Sequence, residues 1–286
     1  MSPGELLFEG FNYLFLTLIS LCMLYPMYYV LVASFSDANA LIVNSDKVLL
    51  HPLKANVAAY EYVLKFPIIW SGYRNTIFVV VVGTTLNMIL SLFGAYFMSV
   101  QDLPGRKFFT KFVLVTMFFS GGMIPTYMVV KGVGLLDSIW SVILPTAIST
   151  YNMIVIRSAL AAIPKSLSEA AEMDGANDFV VLWKILVPTC IPTIVVVIMY
   201  YAVGHWNSWF SAYIYIKTDT KWPLQVVLRR ILIEGTVMSS DTGDSQSLGE
   251  TIKYAIIIVS TAPILMIYPL IQKHLVKGVM IGSVKG

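Results

Sequence analysis

Charged side chains are what this sequence is shortest of: Asp, Glu, Lys and Arg make up 12% of its 286 residues, about half the share in a soluble globular domain. With 57% hydrophobic residues and a mean hydropathy of +0.77, that shortage excludes an ordinary water-soluble fold. The formal charge is only +3, and its Lys and Arg residues form no dense patch, which excludes a nucleic-acid-binding arm. Cysteine is nearly absent. Cys22 and Cys190 each fall inside an apolar run, where a thiol behaves as a small hydrophobe, so no disulfide is expected. His51, His205 and His274 are far apart and none sits in HExxH, so no metal site is expected. No GxxxxGK[ST] phosphate loop and no GxSxG elbow occurs, which removes the common routes to ATP hydrolysis and acyl transfer. No catalytic residue and no resident cofactor are expected.

Long apolar runs are what the sequence has in abundance. A spanning helix needs roughly 20 mostly apolar residues, and runs of that kind recur at about 11–35, 75–100, 108–130, 139–160, 183–203 and 251–275. Residues 1–286 therefore read as one transmembrane domain with external intervals at 36–73 and 206–250 and a cytoplasmic loop at 163–182. Glu5 and Glu9 stand where a secretory signal would carry positive charge, so the first run is expected to be retained. Six crossings put both termini on one side. Over all loops the basic residues divide almost evenly, but long loops translocate largely regardless of charge. Of the short ones, 102–111 holds Arg106, Lys107 and Lys111, whereas its counterpart on the other side has Lys131 beside Asp137. Both termini are therefore expected in the cytoplasm.

Polar and helix-breaking residues inside the runs mark either packing or a pathway. Pro26, Pro125, Pro145, Pro188, Pro192 and Pro263 each remove an intrahelical bond, and Gly121–Gly122 before Pro125 is the best candidate for a broken helix. Gly83, Asn87, Ser91 and Ala95 recur every four residues and form one small, polar stripe. Such a stripe suits close helix packing in lipid, and pathway lining is the other reading. Asn87, Tyr127 and Asn152 are open to both. The segment HWNSWFSAYIY, 205–215, places Trp206, Asn207 and Trp209 together. They read either as a membrane-surface aromatic belt or as a surface for sugar rings, whose apolar faces stack while their hydroxyls hydrogen-bond. Ionisable groups are almost missing at membrane depth, which weakens a proton-driven mechanism.

Between the fourth and fifth runs lies IPKSLSEAAEMDGANDFVVLWKILVP, 163–188. Pro164 can open a helix, Ser166 or Ser168 can cap it, residues 169–172 are strong helix formers, and Gly175 ends it. A helix this short is marginal alone in water, so it is expected to dock on another protein. Glu169-Ala170-Ala171, three residues, Gly175, nine residues, Ile185, one residue, and Val187-Pro188 resembles the EAA loop of ABC importer permeases, with Val187 where leucine is usual. The extended form EAAEMDGA resembles the carbohydrate, or maltose-type, branch. The stretches TMFFSGGMIPTYMVV, GHWNSWF and QKHLVKGVMIGSVKG resemble its subgroup for oligosaccharides and polysaccharide fragments.

This resemblance covers essentially the whole chain. It implies an all-α integral membrane fold, the type I ABC importer permease, with six transmembrane helices and a cytoplasmic EAA coupling helix. It further implies that Glu169, Ala170, Ala171, Asp174 and Gly175 couple to an ATPase subunit and that the tail from Gly278 to Gly286 makes a second such contact. The implied partners are a second homologous permease, two ATPase subunits that hold ATP and magnesium, an extracytoplasmic solute-binding protein, a carbohydrate substrate and membrane lipid. The implied location is a bacterial inner or plasma membrane. From the residues alone, a self-sufficient secondary transporter or channel stays open as the alternative.

Overall fold

The computed structural model describes residues 3–44, 48–100, 103–234, 249, 251–267 and 269, and every regular element among them is helical. The chain divides into two compact units, Met1–Ile69 with Leu228–Pro263, and Trp70–Val227 with Ile264–Gly286.

In the first unit, helix α1 (Pro3–Ser34) begins earlier than the apolar run because Pro3 and Glu5 are good first-turn residues. Its stretch Gly4–Ser34 has a mean hydropathy of 1.9 and is only 6% buried, the mark of a helix whose apolar surface faces lipid or another chain. Polar residues end it. Ser36 donates to Val32 O at 2.9 Å and accepts the Leu53 N–H at 3.1 Å. Asp37 then caps α2 (Ala38–Val43), accepting the Ala40 N–H at 3.0 Å. Val32, Ala33, Leu41 and Leu49 form a small core with Tyr29 and Tyr254 against it. A second short helix, α3 (Ala58–Lys65), pairs Tyr60 with Phe35 at 4.9 Å.

The second unit is built around α4 (Pro67–Ser99), with α1 one of two helices among the described residues long and apolar enough to cross a membrane alone. Three further pairs reach that length only together and are sharply bent: α5 (Arg106–Phe118) with α6 (Met123–Gly132) by 115°, α7 (Trp140–Thr146) with α8 (Thr150–Ala161) by 51°, and α10 (Asp178–Thr189) with α11 (Ile191–Trp206) by 89°. Between α8 and α10 lies α9 (Lys165–Met173), and α12 (Trp209–Tyr215) follows α11. Thr251–Ile267, most of which belongs to the first unit, is a shorter apolar helix.

Each bend has a local cause. Gly122 sits at φ +82, a conformation that side chains with a Cβ resist, and Thr126 Oγ1 donates to its carbonyl at 2.7 Å. At the α7–α8 break, Pro145 lies in a tightened 3-10 turn and Ser149 caps α8. At Cys190, Pro188 and Pro192 each lack the N–H that would continue the ladder, and the turn before them widens into a π-helix over Val181–Leu186. The unit's core joins Met88, Leu92, Ala95 and Met98 of α4 to Ile156 and Leu160 of α8 and to Val181, Ile194 and Val197 of α10 and α11. Burying each such side chain contributes about 1.5–3 kcal/mol.

Candidate functional site

Helix α9 buries none of its residues. It starts at Pro164, extended at φ −58 and ψ 131, with no side-chain cap, so Ser166 and Ser168 lie inside the first turn rather than at the cap. Its other end is fixed firmly. Gly175, at φ +86, donates its N–H to Glu172 O at 2.9 Å, and Ala176 N–H reaches back to Ala171 O at 2.9 Å. This pair of bonds is a Schellman closure, which needs a left-handed residue at the position Gly175 occupies and an apolar contact between its ends. Ala171 and Ala176, the two ends, both pack on the core. Asn177 then caps α10, accepting the Val180 N–H at 3.0 Å, and Asp178 accepts from the Tyr96 hydroxyl of α4 at 2.8 Å. The rigid corner leaves Leu167 47%, Met173 88% and Phe179 61% exposed, an apolar edge beside the exposed Glu169 and Ala170. Beneath it a cleft of about 230 Å³ is lined by Glu169, Glu172 and Asp178, with Lys165 as the opposing charge.

A second feature lies between α4 and α11. The four-residue stripe is buried: Asn87, Ser91 and Ala95 are each 0% exposed, and a Cβ on Gly83 would lie 2.6 Å from His205 Nε2. Asn87 donates its amide to Thr146 O at 2.8 Å, which turns its oxygen toward His205 Nε2 at 3.2 Å and makes Nε2 the protonated nitrogen. Ser91 and Tyr201 share a hydroxyl–hydroxyl bond of 2.6 Å, and the Tyr201 oxygen also accepts the Ser149 N–H at 3.1 Å. Next to this seam is a cavity of about 270 Å³ lined by Asn87, Ser149, Asn152, Tyr200, Gly204 and Ser211, among others.

The cavity brings together Asn87 and Asn152 of the sequence-derived pathway residues and leaves the others elsewhere. Tyr127 stacks on Tyr215 at 6.1 Å. Trp206 is buried, and its Nε1 finds no partner among the described residues. Asn207 is exposed at the end of α11, and Trp209 meets Phe210 edge-on at 5.3 Å. Gly278 and Gly286 lie outside the described residues. The partners of the α4 stripe, Tyr201 and His205, lie four residues apart on one face of α11, a spacing that was readable in the sequence.

A third cluster ties the loop before α7 to the one after α12. Asp137, at φ +56, accepts from the Thr218 hydroxyl at 2.6 Å, from the Thr218 and Lys217 N–H groups at 2.9 and 3.0 Å, and from Lys221 Nζ at 3.0 Å. Hydrogen bonds from Thr218, then from Lys221 and Lys217, hold its carboxyl well below the usual carboxylate range.

Residues 104–281 match the family model described as binding-protein-dependent transport system inner membrane component. The chain belongs to this family. It is thus a permease of an ABC transport system, a membrane transport subunit and not an enzyme, with ATP hydrolysis carried out by a separate subunit. This permease is 42% identical over 98% of its length, and 99% of the relative's, to the polygalacturonan/rhamnogalacturonan transport system permease protein YtcP of Bacillus subtilis. Protein LplC of the same organism is 39% identical over 98% of this chain and 95% of its own. Its fold overlays a chain of a bacterial ABC transporter involved in importing the acidic polysaccharide alginate, with a TM-score of 0.89 and 33% identity over 96% of this chain and 98% of that one.

Proposed function

We propose that this permease is one of two transmembrane halves of an oligosaccharide importer, and that α9 is its coupling helix. The observation that carries the reading is the corner at α9: a helix with no buried residue, an exposed apolar edge, and a Schellman closure at Gly175 that fixes its direction. A helix so held transmits force rather than absorbing it. Glu169, Ala170, Ala171, Asp174 and Gly175 dock on an ATPase subunit, and the tail from Gly278 to Gly286 makes a second contact with it. The chain crosses the membrane six times with both termini in the cytoplasm. ATP and magnesium are held by two ATPase partners, a second homologous permease completes the pathway, and a solute-binding protein delivers cargo from outside.

The cargo is an oligosaccharide; relatives named for polygalacturonan and alginate support a fragment of an acidic polysaccharide. It moves by alternating access, with the pathway opening outward when the ATPases close on nucleotide. Asn87, Tyr127, Asn152, Trp206, Asn207 and Trp209 are the pathway candidates.

The test is substrate-stimulated ATP hydrolysis by the reconstituted complex carrying Glu169→Lys with Gly175→Pro. We expect the complex to assemble while stimulated hydrolysis and uptake vanish together. Uptake that continues with no ATPase subunit present would sink the importer reading.

A further inference from the structure

The cavity beside the seam holds polar groups that the fold itself leaves unused. Asn152 is 6% exposed and lines the cavity. Its backbone N–H goes to Ser149 Oγ at 3.4 Å, but its side-chain amide has no partner among the described residues. The amide is not sealed from solvent but opens on the cavity, where water or a ligand can satisfy it. Its place in the wall of a cavity makes a ligand the natural partner.

A second observation is independent of the first. Gly204 lies in the same wall, and none of the described residues stands within 4 Å of the point where its Cβ would be. The notch is therefore open space rather than a packing contact. Tyr200, 44% exposed, adds a phenol ring supported by Tyr151 at 6.5 Å, and Ser211 adds a hydroxyl.

The chemistry of the wall restricts the ligand. Among the described residues no Asp, Glu, Lys or Arg lines the cavity, so a carboxylate entering it would lose water without gaining a counter-charge from them. Neutral donors and acceptors beside an aromatic ring instead suit the hydroxyl-bearing face of a pyranose. We propose that this cavity is a saccharide subsite within the present chain, in which Asn152, Tyr200 and Ser211 engage ring hydroxyls and any carboxylate of the cargo is left to groups elsewhere. The proposal rests on the importer reading above.

Two variants test it in the complete transporter, reconstituted with its binding protein. Gly204→Met fills the notch without meeting another atom at Cβ, and Asn152→Leu keeps the volume while removing the amide. The probes are a galacturonate trisaccharide and its neutral galactose counterpart. We expect both variants to assemble, the melting temperature of Asn152→Leu to be unchanged or higher, and the uptake KM to rise about tenfold for both probes. An unchanged KM in both assembled variants overturns the subsite. A rise confined to the galacturonate probe overturns the hydroxyl-reading assignment. Failure of Asn152→Leu to assemble assigns its amide to folding and overturns the proposal. A wild-type complex whose ATP hydrolysis neither probe stimulates removes the importer reading, and the subsite with it.

Discussion

Along the seam between α4 and α11, Asn87, Ser91, Tyr201 and His205 are buried and hydrogen-bonded to one another or to the neighbouring backbone, whereas α9 buries no residue at all. Both stretches are held rigid, by different means. The seam is fixed by contacts across space, so its rigidity depends on shape: a glycine under an imidazole, a hydroxyl against a hydroxyl. The corner at α9 is fixed by local backbone geometry, mainly the left-handed Gly175, and leaves its outer surface exposed, where the proposed ATPase contact would form. Packing and presentation thus call on the same residue type, glycine, for unrelated reasons.

The contrast is broken most severely at Gly83. Valine there would drive its Cβ into the His205 ring and undo the Asn87 contact, and overpacking of this kind costs about 3 kcal/mol. A fall in the melting temperature of the assembled transporter, with poor recovery of the complex, is the expected result. A variant as stable as wild type would show that the seam can shift to make room. Tyr201→Phe sharpens the comparison next. It strips both Ser91 and the Ser149 N–H of their shared partner, a loss of about 1–2 kcal/mol by the cost of unsatisfied buried groups. Adding Ser91→Ala should recover part of that loss, and a double-mutant cycle reads the recovery directly.

How far these regions were legible in the sequence follows from where their causes lie. The α4 stripe was visible because helical spacing is local, and the break at Gly121–Gly122 because a positive φ calls for glycine. The corner at Gly175 was visible for the same reason. The early start of α4 was hidden. Ser71, Tyr73 and Arg74 read as loop, yet Asn75 bonds to the Thr220 and Trp222 carbonyls and Gly72 lies 3.1 Å, measured from its would-be Cβ, from Leu224 Cα. Those partners lie far along the chain, so no window of local sequence contains them. The 89° turn at Cys190 was hidden differently: two prolines four apart can kink a helix or end it, and packing decides which. The cavity was least legible, since Asn87, Asn152, Gly204 and Ser211 belong to four different helices.

On the α9 side the sharpest single change is Gly175→Ala. A left-handed residue with a Cβ costs about 1 kcal/mol, and the penalty falls on the corner rather than on the core. Global stability of the complex should therefore drop only slightly, while ATP-driven uptake should drop by more than that change in stability explains. Equal and small losses in both would place the closure among ordinary turns and remove its role in presenting α9.

The smallest effect belongs to neither stretch and serves as their control. Asp137 gathers Thr218, Lys217 and Lys221 at an exposed position, with its side chain about one-third accessible, so solvent screening keeps the contribution modest. Its sign is nevertheless definite. Because the folded carboxyl titrates below its unfolded value, the ionised form is favoured by folding, and the stabilisation is fully present above the unfolded value of about 3.9. It fades as pH falls below that point toward the folded value. The melting temperature of Asp137→Asn should therefore trail wild type by a constant margin from pH 7 to about pH 5, and the margin should narrow on further acidification. A margin that instead widened in acid would mean that the protonated carboxyl, not the carboxylate, is what Thr218 and Lys221 hold in place.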